Sequence, residues 1–528
     1  MNIQVGLYGA SPGWQLLLEQ EGVSFLQISR KDRFEDFSAI ILGTDLGKES
    51  LEEITNYLKS GGSVLVPAQT FAQISDSQVN VIPVGSFLPK ENSIFYEAGL
   101  LDVFTQCYLP KKANELHSLD KKPTALVAEW NGGNIIVLPF DPGEIVLDSR
   151  TDTKSFYSLE KRLPFENVSL VSKGALRKLV SRSLEFLHHR RGLPYIHKWY
   201  YPNNDQSLFA FRIDTDGGDK ESIEHLYALS RKNNIPFTWF VDVKSQEQHF
   251  DVYTQMEEQE INIHCYEHVL YDEQREVTKD IEQAKSIFKK HSIQPNGYAS
   301  PYGTWNPAIA KAIADSGFEY SSEFSYDYDN VPSFPVLEGS PTQQVQIPIH
   351  PISIGTLKRL AYSDEMMIEY FKNVIRQTLA MRLPVILYHH PKDGHEDVVQ
   401  EIFDFVLELK IQPVLFYEYA EWWKARHTGT FVADYTGGAL SFKSEIKDPS
   451  IRVHITKPDG METFMPLNRT TISENIIWKK KPDSIPYPKR LSRIRKYNPW
   501  ISIIRSQDAT IGKIKKMYIK RTKTSVHQ

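Results

Sequence analysis

The chain has 528 residues, of which 41% are hydrophobic and 24% are charged, and its formal net charge at pH 7 is −5. This length predicts roughly two to four domains, and the composition is typical of a soluble globular protein. No apolar run reaches the roughly 18 residues of a membrane-spanning helix, and the first residues lack the pattern of a secretory signal. The two cysteines, Cys107 and Cys265, are too isolated for a disulfide framework. We therefore expect a cytoplasmic protein.

Residues 1–165 alternate short apolar runs with helical patterns, from IQVGLYG through WQLLLEQEG to SVLVPA. Strands that alternate with helices predict a parallel sheet covered on both faces, and Gly132 and Gly133 predict a hairpin turn. The stretch YLKSGGSVLVPA resembles the flavodoxin-like fold of class I glutamine amidotransferases. Those enzymes need a cysteine in a glycine-rich turn between strand and helix, whereas VPAQTFAQI has neither. We therefore expect a non-catalytic domain with a structural or binding role.

A helical linker is expected over residues 166–206, because KGALRKLVSRSLEFLHHRR has a helical pattern and leads into a proline-containing segment. From 207 to 427 a longer alternation of apolar strands and amphipathic helices follows. Roughly seven or eight strand–helix units predict a barrel, in which functional residues gather at the carboxyl ends of the strands.

Two further regions follow the barrel. Residues 428–478 carry short alternating segments such as FVADYTG and ALSFKSE, which predict a small β-sandwich-like domain. Residues 479–528 form a basic tail with 15 lysines and arginines against two aspartates. Such a tail is a solvated extension or, alternatively, a segment that docks on anionic lipid at the inner membrane face. No recognition motif accompanies the charge, so we do not expect nucleic acid as a partner.

The stretch FRIDTDGG ends an apolar run with charged side chains. Because side chains alternate along a strand, Arg212, Asp214 and Asp216 share one face, which would point into the barrel. Burying two carboxylates is costly unless a metal or another cation compensates their charge. The stretch therefore predicts a cation site, although an acidic turn that caps the next helix has the same pattern.

Histidines follow two other apolar runs. His264 and His268 in INIHCYEH are four residues apart, and on one helical turn both imidazoles would face one divalent metal. An exposed polar turn is the alternative. With an upstream aspartate, the pair would complete a set of two histidines and one carboxylate that leaves positions open for water and substrate. In VILYHHP, either His389 or His390 would reach the barrel mouth, where an imidazole can protonate a leaving group.

The order of these motifs carries a second resemblance. Residues 207–425 are similar to the polysaccharide deacetylase family, the NodB-homology domain of carbohydrate esterase family 4, whose fold is a distorted (β/α)7 barrel. The resemblance implies that Asp214 is the catalytic base and that Asp216 is a metal ligand. It gives the remaining roles to histidines, which are the metal ligands His264 and His268 and the general acid His389.

The third motif of the family is similar to GYASPYG. Pro301 and Tyr302 agree with it, and the resemblance implies that the backbone N–H of Tyr302 donates to the oxyanion. Ala299 stands where the family has an arginine that holds the base. We hypothesise that Arg212, one layer deeper on the same strand face as Asp214, supplies this guanidinium instead.

Two residues are weaker candidates. The fourth motif of the family, an acidic residue that orients the acid histidine, is at best echoed by Glu323 in SSEFSYD. His350, at the end of VQIPIH, is a candidate substrate contact at the barrel mouth.

The resemblance implies metal-assisted hydrolysis of an N-acetyl, less often O-acetyl, group on a sugar, with Zn²⁺ as the expected ion. Without an export signal, the expected substrate is a cytoplasmic sugar or glycan intermediate of envelope polysaccharide assembly. Two alternatives remain: hydrolysis of a non-sugar amide, and a catalytically impaired barrel that serves as a sugar-binding scaffold. Ala299 favours the scaffold, whereas the complete set of metal ligands argues against it.

Overall fold

The computed structural model describes residues 1–44, 46–47, 50–118, 120–467 and 477–482. The predicted basic tail therefore lies outside the described residues from position 483 onward. No helix within the described ranges is long and apolar enough to cross a membrane.

The N-terminal region is an alternation of strands and helices. Its strands are β1 (Val5–Tyr8), β2 (Phe25–Gln27), β3 (Ala39–Leu42), β4 (Ser63–Pro67), β5 (Asn80–Phe87), β6 (Leu101–Leu109), β7 (Glu115–His117), β8 (Pro123–Trp130), β9 (Gly133–Leu138), β10 (Thr151–Ser155) and β11 (Phe165–Ser169). Its helices are α1 (Pro12–Glu21), α2 (Ser50–Lys59), α3 (Ala68–Ile74), α4 (Pro142–Ile145) and α5 (Lys173–Arg190), with short 3-10 helices at Phe34–Asp36 and Tyr96–Ala98.

The main sheet of this region has the strand order β2-β1-β3-β4-β9-β8-β7. Strands β2, β1, β3, β4 and β9 are parallel to one another. Doubly wound sheets share this strand order. They are continuous apolar runs because helices cover both faces of such a sheet. The predicted hairpin joins β8 to β9, and Asn131 and Gly132 at its turn have φ angles of 51° and 89°.

Helix α5 packs on this sheet and belongs to its core. Its buried leucines share one apolar cluster with residues of β1, β4 and β9; these are Leu176, Leu179, Leu184 and Leu187. The segment 166–206, which the sequence pattern places in a linker, is therefore partly built into the N-terminal region. The boundaries of the domains stay predictions.

The central region holds the larger sheet. Its strands are β12 (Tyr195–Lys198), β13 (Leu208–Asp214), β14 (Phe237–Asp242), β15 (Glu260–Cys265), β16 (Gly297–Tyr298), β17 (Tyr320–Ser321), β18 (Val336–Leu337), β19 (Ser340–Pro341), β20 (Val345–Gln346), β21 (Val385–His389) and β22 (Gln412–Pro413). Its helices are α6 (Lys220–Asn233), α7 (Val243–Gln246), α8 (Asp251–Thr254), α9 (Gln274–Lys290), α10 (Pro307–Asp315), α11 (Ile354–Arg359), α12 (Asp364–Ala380), α13 (Glu396–Glu408) and α14 (Phe416–Thr428), with 3-10 helices at Glu247–His249, Pro301–Gly303 and Pro391–Asp393.

Parallel strands in the order β20-β17-β16-β15-β14-β13-β21 form a curled half-barrel, and β22 pairs with the start of β13. Phe209, Phe211 and Ile213 of β13 pack in the outer cluster with the helices, whereas Ala210 packs in a second, inner cluster. This alternation turns Arg212 and Asp214 to the inside. The carboxyl ends of the strands meet at one mouth, where the candidate residues lie.

The last described strands form two small antiparallel units. They are β23 (Phe431–Thr436), β24 (Ala439–Ser444), β25 (Arg452–Thr456), β26 (Met461–Pro466) and β27 (Lys479–Lys480). Strands β23 and β24 form a hairpin, while the second sheet has the order β12-β25-β26-β27. Because β12 precedes the barrel in the chain, residues 428–478 share their sheet with a distant segment instead of pairing only with one another. The β-sandwich stays a prediction.

A buried carboxylate connects these regions. Glu21 at the end of α1 accepts hydrogen bonds from Arg177 (2.5 Å), Ser181 (2.6 Å), Tyr195 (3.1 Å) and Tyr200 (2.8 Å). The side chains of Glu21 and Arg177 are each 1% exposed. A buried pair of this kind is strongly destabilised when one partner is removed, because the other charge stays buried without compensation.

We predict that Arg177→Met lowers the free energy of unfolding by about 3–5 kcal/mol, measured by chemical denaturation. Arg190→Met is the matched control on the same helix, because Arg190 and its partner Glu129 are 46% and 71% exposed. An exposed pair contributes at most about 1 kcal/mol. Equal losses of unfolding free energy in the two variants would contradict the larger contribution that we expect from the buried pair.

Candidate active site

Two carboxylates lie at the mouth of the half-barrel. Asp214 is the last residue of β13, and Asp216 lies two residues further along the chain. Asp214 is 4% exposed and Asp216 is 9% exposed, so both are buried. The hydroxyl of Thr215, between the two, accepts a hydrogen bond from the backbone N–H of Asp242 at 3.0 Å. This bond connects the end of β13 to the end of β14.

The Arg212 guanidinium lies against Asp214 inside the barrel. Its Nε and Nη2 donate to the two carboxylate oxygens at 2.6 and 2.7 Å, and its Nη1 donates to the Ser322 carbonyl at 2.7 Å. The rings of Phe240 and Tyr388 flank it, with centroids 4.9 and 5.8 Å from the guanidinium carbon. Burial alone would raise the pKa of Asp214, but Arg212 and His264 hold it below its ordinary value.

Ala299 directly follows β16 and contacts β15 through its backbone. It is fully buried and belongs to the same apolar cluster as Phe240 and Tyr388, the two rings that flank Arg212. An arginine is therefore present next to the carboxylate of Asp214, but it comes from β13 and not from the position that Ala299 occupies.

A potential metal-binding group lies beside this pair. Donor atoms of Asp216, His264 and His268 are all within 4.8 Å of one another. His264 Nδ1 is 2.7 Å from the carbonyl of Ala299, and a carbonyl only accepts, so Nε2 keeps its lone pair for an ion. Burial lowers the pKa of both imidazoles, that of His268 to about 4, so both are neutral at pH 7 as metal ligands must be. The set therefore fits a divalent metal.

The two histidines are not on a helix, which corrects the expected helical turn. His264 belongs to strand β15, and His268 lies in the bend that follows it. Asp280 on α9 shapes this bend, since its carboxylate accepts the backbone N–H groups of Tyr266 (2.7 Å) and Glu267 (3.0 Å). The contact between α9 and the bend after β15 thus helps to hold the rings of His264 and His268 together, with centroids 5.1 Å apart.

Cations surround the carboxylate of Asp216. The Lys392 ammonium donates to Oδ2, and His390 Nε2 lies 3.6 Å from Oδ1. Burial alone would raise the pKa of Asp216, but His390, His264, His268 and Lys392 lower it well below its ordinary value. Asp216 is therefore ionised at neutral pH.

Of the two neighbouring histidines, His390 reaches the site, whereas the sequence-based prediction places His389 there. His389 pairs with Ile213 in the sheet and shares its outward face. It is fully buried, with neither ring nitrogen hydrogen-bonded to a described residue. His390 lies on the inward side, and its Nδ1 is 3.1 Å from Asp393 Oδ2. Burial alone would lower the pKa of His390, but Asp393 and Asp216 raise it above its ordinary value.

The turn that carries Pro301 and Tyr302 forms another wall of the mouth. Tyr302 has φ 59° and ψ 18°, a left-handed conformation that is rare for an aromatic residue. Its side chain is 55% exposed, and its ring lies 4.8 Å from that of His268. Pro301 is buried at the start of the turn, and a Cβ on Gly303 would lie 2.3 Å from the Phe324 ring. The backbone around Tyr302 is thus tightly fixed.

Glu323 supports this turn and does not orient a histidine, which corrects its expected role. Its carboxylate accepts the backbone N–H of Ser300 (3.1 Å) and the hydroxyl of Ser321 (2.8 Å). Burial raises the pKa of Glu323 to about 7. The carboxylate that contacts His390 is that of Asp393.

His350 lies apart from the other candidates. Its Nε2 is 3.0 Å from the Tyr370 hydroxyl on α12, and its ring is edge-on to Phe156. The structure does not bring it together with the carboxylates of β13.

Three residues of the site have no counterpart among the sequence-based predictions: Asp280, Lys392 and Asp393. Asp393 and Lys392 follow His390 in HHPKDG, so their closeness in sequence could have suggested a local partner. Asp280 is on an amphipathic helix, and its spacing from the histidines carries no recognisable pattern.

The comparisons with known proteins agree with the site at the level of the domain. A family model described as polysaccharide deacetylase matches residues 211–321, which include Asp214, Asp216, His264 and His268. These residues therefore form a polysaccharide deacetylase domain, a hydrolytic class, in an α/β protein with a curled parallel half-barrel sheet. The match ends before the histidines of β21. Among curated proteins, none matches the chain. The amidotransferase-like character of residues 1–165 stays a prediction.

Solved structures resemble part of the chain. PuuE allantoinase is 17% identical, with 43% of this chain and 93% of that chain covered and a TM-score of 0.36. A CE4 family pseudoenzyme from Bacillus anthracis is 12% identical, with 42% and 68% covered and a TM-score of 0.31. The family 4 carbohydrate esterase from Streptomyces lividans in complex with acetate is 14% identical, with 39% and 90% covered and a TM-score of 0.28.

We predict that Asp280→Asn weakens zinc binding by about 10- to 100-fold, because one side-chain oxygen cannot hold both N–H groups of the bend that carries His268. Zinc affinity is measured by competition with a chromogenic chelator. Asp251→Asn is the control, since the Asp251 side chain is 84% exposed. Wild-type zinc affinity in the Asp280 variant would show that the bend needs no such support.

Proposed function

We propose that the chain is a metal-dependent deacetylase that hydrolyses an N-acetyl or O-acetyl group on a sugar or glycan intermediate of envelope polysaccharide biosynthesis. One observation carries the proposal. The donor atoms of Asp216, His264 and His268 lie within 4.8 Å of one another, next to the Asp214 carboxylate that Arg212 holds. A carboxylate outside the metal set is what a general base requires.

Asp216, His264 and His268 would hold a divalent ion, and their nitrogen and oxygen donors suit Zn²⁺. A bound ion would supply Lewis acidity toward the acetyl carbonyl and toward water. Asp214 would accept the proton of the attacking water, and Arg212 keeps this carboxylate oriented and ionised. The backbone N–H of Tyr302 would donate to the oxyanion.

His390 takes the role of general acid in place of the expected His389. Its raised pKa keeps a proton available near neutral pH, and Asp393 fixes the orientation of the ring. It would donate this proton to the departing amine or alkoxide, which completes the hydrolysis. The contact of its Nε2 with Asp216 keeps it on the metal side of the mouth.

A second candidate function, a sugar-binding scaffold without catalysis, is favoured by Lys392. Its ammonium contacts the carboxylate that a metal would need. Hydrolysis of a non-sugar amide is the other alternative.

For the remaining regions, we propose a non-catalytic flavodoxin-like domain over residues 1–165, since the turn from β4 into α3 has Pro67 and Ala68 where a nucleophile would stand. We further propose a cytoplasmic location with the tail docked on anionic lipid.

We predict that zinc-loaded wild type releases acetate from acetylated sugars and that Asp214→Asn lowers kcat by about 10²- to 10⁴-fold, since the base is lost. His390→Gln lowers kcat by about 10²-fold or more for loss of the acid. His389→Leu keeps kcat close to wild type, because its ring faces away from the site. The measurements are acetate release from a panel of acetylated sugars, ring opening of cyclic amides and amine release from linear amides.

Three outcomes decide among the functions. Equal rates for wild type and Asp214→Asn would remove the catalytic role of this site. Turnover of amides alone would favour the non-sugar alternative. Protein that binds saccharide but takes up no zinc would favour the scaffold.

We predict that Arg212→Met moves the acidic limb of the pH profile of kcat/KM to higher pH. The variant loses the charge that lowers the pKa of Asp214 while burial, which raises it, remains. Deprotonation of the base then requires a higher pH. Arg212→Lys, which keeps the charge, should leave the limb closer to wild type, and exposed Arg231→Met is the control. An unmoved limb in a folded Arg212→Met protein would contradict the assignment of Asp214 as the base.

A further inference from the structure

A second cavity lies away from the barrel mouth. It has a volume of about 590 Å³ and shares no lining residue with the candidate active site. One face of α5, the end of α12, the segment around β12, strand β25 and the two residues after β27 line it. Small-molecule sites span about 300–1,000 Å³ and occur preferentially where domains meet, so both the size and the position suit a ligand.

The face of α5 that lines the cavity is charged. It presents Lys178, Ser181, Arg182 and Glu185, which are spaced as neighbours on one helix face. Arg182 pairs with Glu185 and lies 3.8 Å from Glu97, and Lys481 lies 3.3 Å from Glu185. The two acidic residues of the lining are therefore already engaged with cations.

Lys178 is the exception in this lining. Within the described residues, no carboxylate lies within 4.0 Å of its ammonium. Its hydrogen-bond acceptor is the backbone carbonyl of Met381, just beyond the end of α12. Burial lowers the pKa of Lys178 to about 7. A partly desolvated ammonium with a single neutral acceptor is the natural partner of an anion.

Aromatic side chains form the other walls. Tyr157, Tyr195, Trp199 and Tyr200 line the cavity beside Lys178. Flat apolar walls next to a cationic end suit a ligand that combines a ring with an anionic group.

We propose that this cavity binds a small phosphate ester with a ring, such as a sugar phosphate or a nucleotide, with its phosphate on Lys178. Phosphate accepts several hydrogen bonds and carries more than one negative charge, which suits the Lys178 ammonium in a lining whose carboxylates are already paired with Arg182 and Lys481. A ligand here would contact α5, α12 and the C-terminal sheet at once. It would therefore stabilise the association of the three regions and raise the melting temperature.

The test is calorimetric titration of the full chain with inorganic phosphate, glucose 1-phosphate and uridine monophosphate, and with glucose and uridine as uncharged probes. We expect one or both esters to bind, and to bind more tightly than inorganic phosphate, while the uncharged probes do not bind. The two esters separate a sugar phosphate site from a nucleotide site. Lys178→Gln should weaken ester binding at least tenfold.

Two controls separate this site from others. Exposed Lys220→Gln on α6 should bind the esters like wild type. His264→Gln, which removes a proposed metal ligand, should also bind them like wild type, so the result does not depend on the proposed hydrolase function. If Lys178→Gln does not fold, Lys481→Gln at the rim should show a several-fold loss. No ester binding by wild type, or equal binding by a folded Lys178→Gln protein, would overturn the proposal.

Discussion

The ion pair of Arg212 and Asp214 is the interaction on which the barrel mouth depends. Each charge would cost several kcal/mol if it were buried alone, so each residue offsets the cost of burying the other. The bidentate geometry satisfies both carboxylate oxygens, and the carbonyl of Ser322 takes a further guanidinium donor. Both residues come from one face of β13, so the alternation of a single strand builds the pair. The wall at Ala299 can therefore stay apolar.

The guanidinium of Arg212 also connects Asp214 with the segment around Ser322. Arg212 bonds the carbonyl of Ser322, and the next residue, Glu323, accepts the N–H of Ser300 at the start of the turn that carries Tyr302. Burial raises the pKa of Glu323 to about 7, while its hydrogen bonds and the charge of Arg212 act in the opposite direction. One continuous chain of contacts thus connects Asp214, the proposed base, with the turn that carries Tyr302, the proposed oxyanion donor.

Periodicity in the sequence predicted those parts of the site that a single strand determines. The alternation along β13 gave the shared face of Arg212 and Asp214, and the same rule applied to β21 would have selected His390 over His389. It could not give the bend that carries His268, because Asp280 on another element shapes that bend. The pairing of β12 with β25 could not be predicted either, because some 250 residues separate the two strands and no local sequence pattern indicates their contact.

The contact of Lys392 with Asp216 makes metal binding an exchange of cations. Arg212 already neutralises Asp214, so Asp216, two residues beyond the end of β13, is the carboxylate that is left to hold another positive charge. The Lys392 side chain is 42% exposed, and it can return to solvent at little cost once an ion takes its place. His390 is not displaced in this way, because Asp393 holds its other nitrogen. The affinity of the site for a metal would therefore depend on the difference between two free energies of interaction. One is that of a divalent ion with Asp216 and two imidazoles, and the other is that of the Lys392 ammonium with Asp216. A catalytic site and an inert scaffold would differ in the outcome of this one competition.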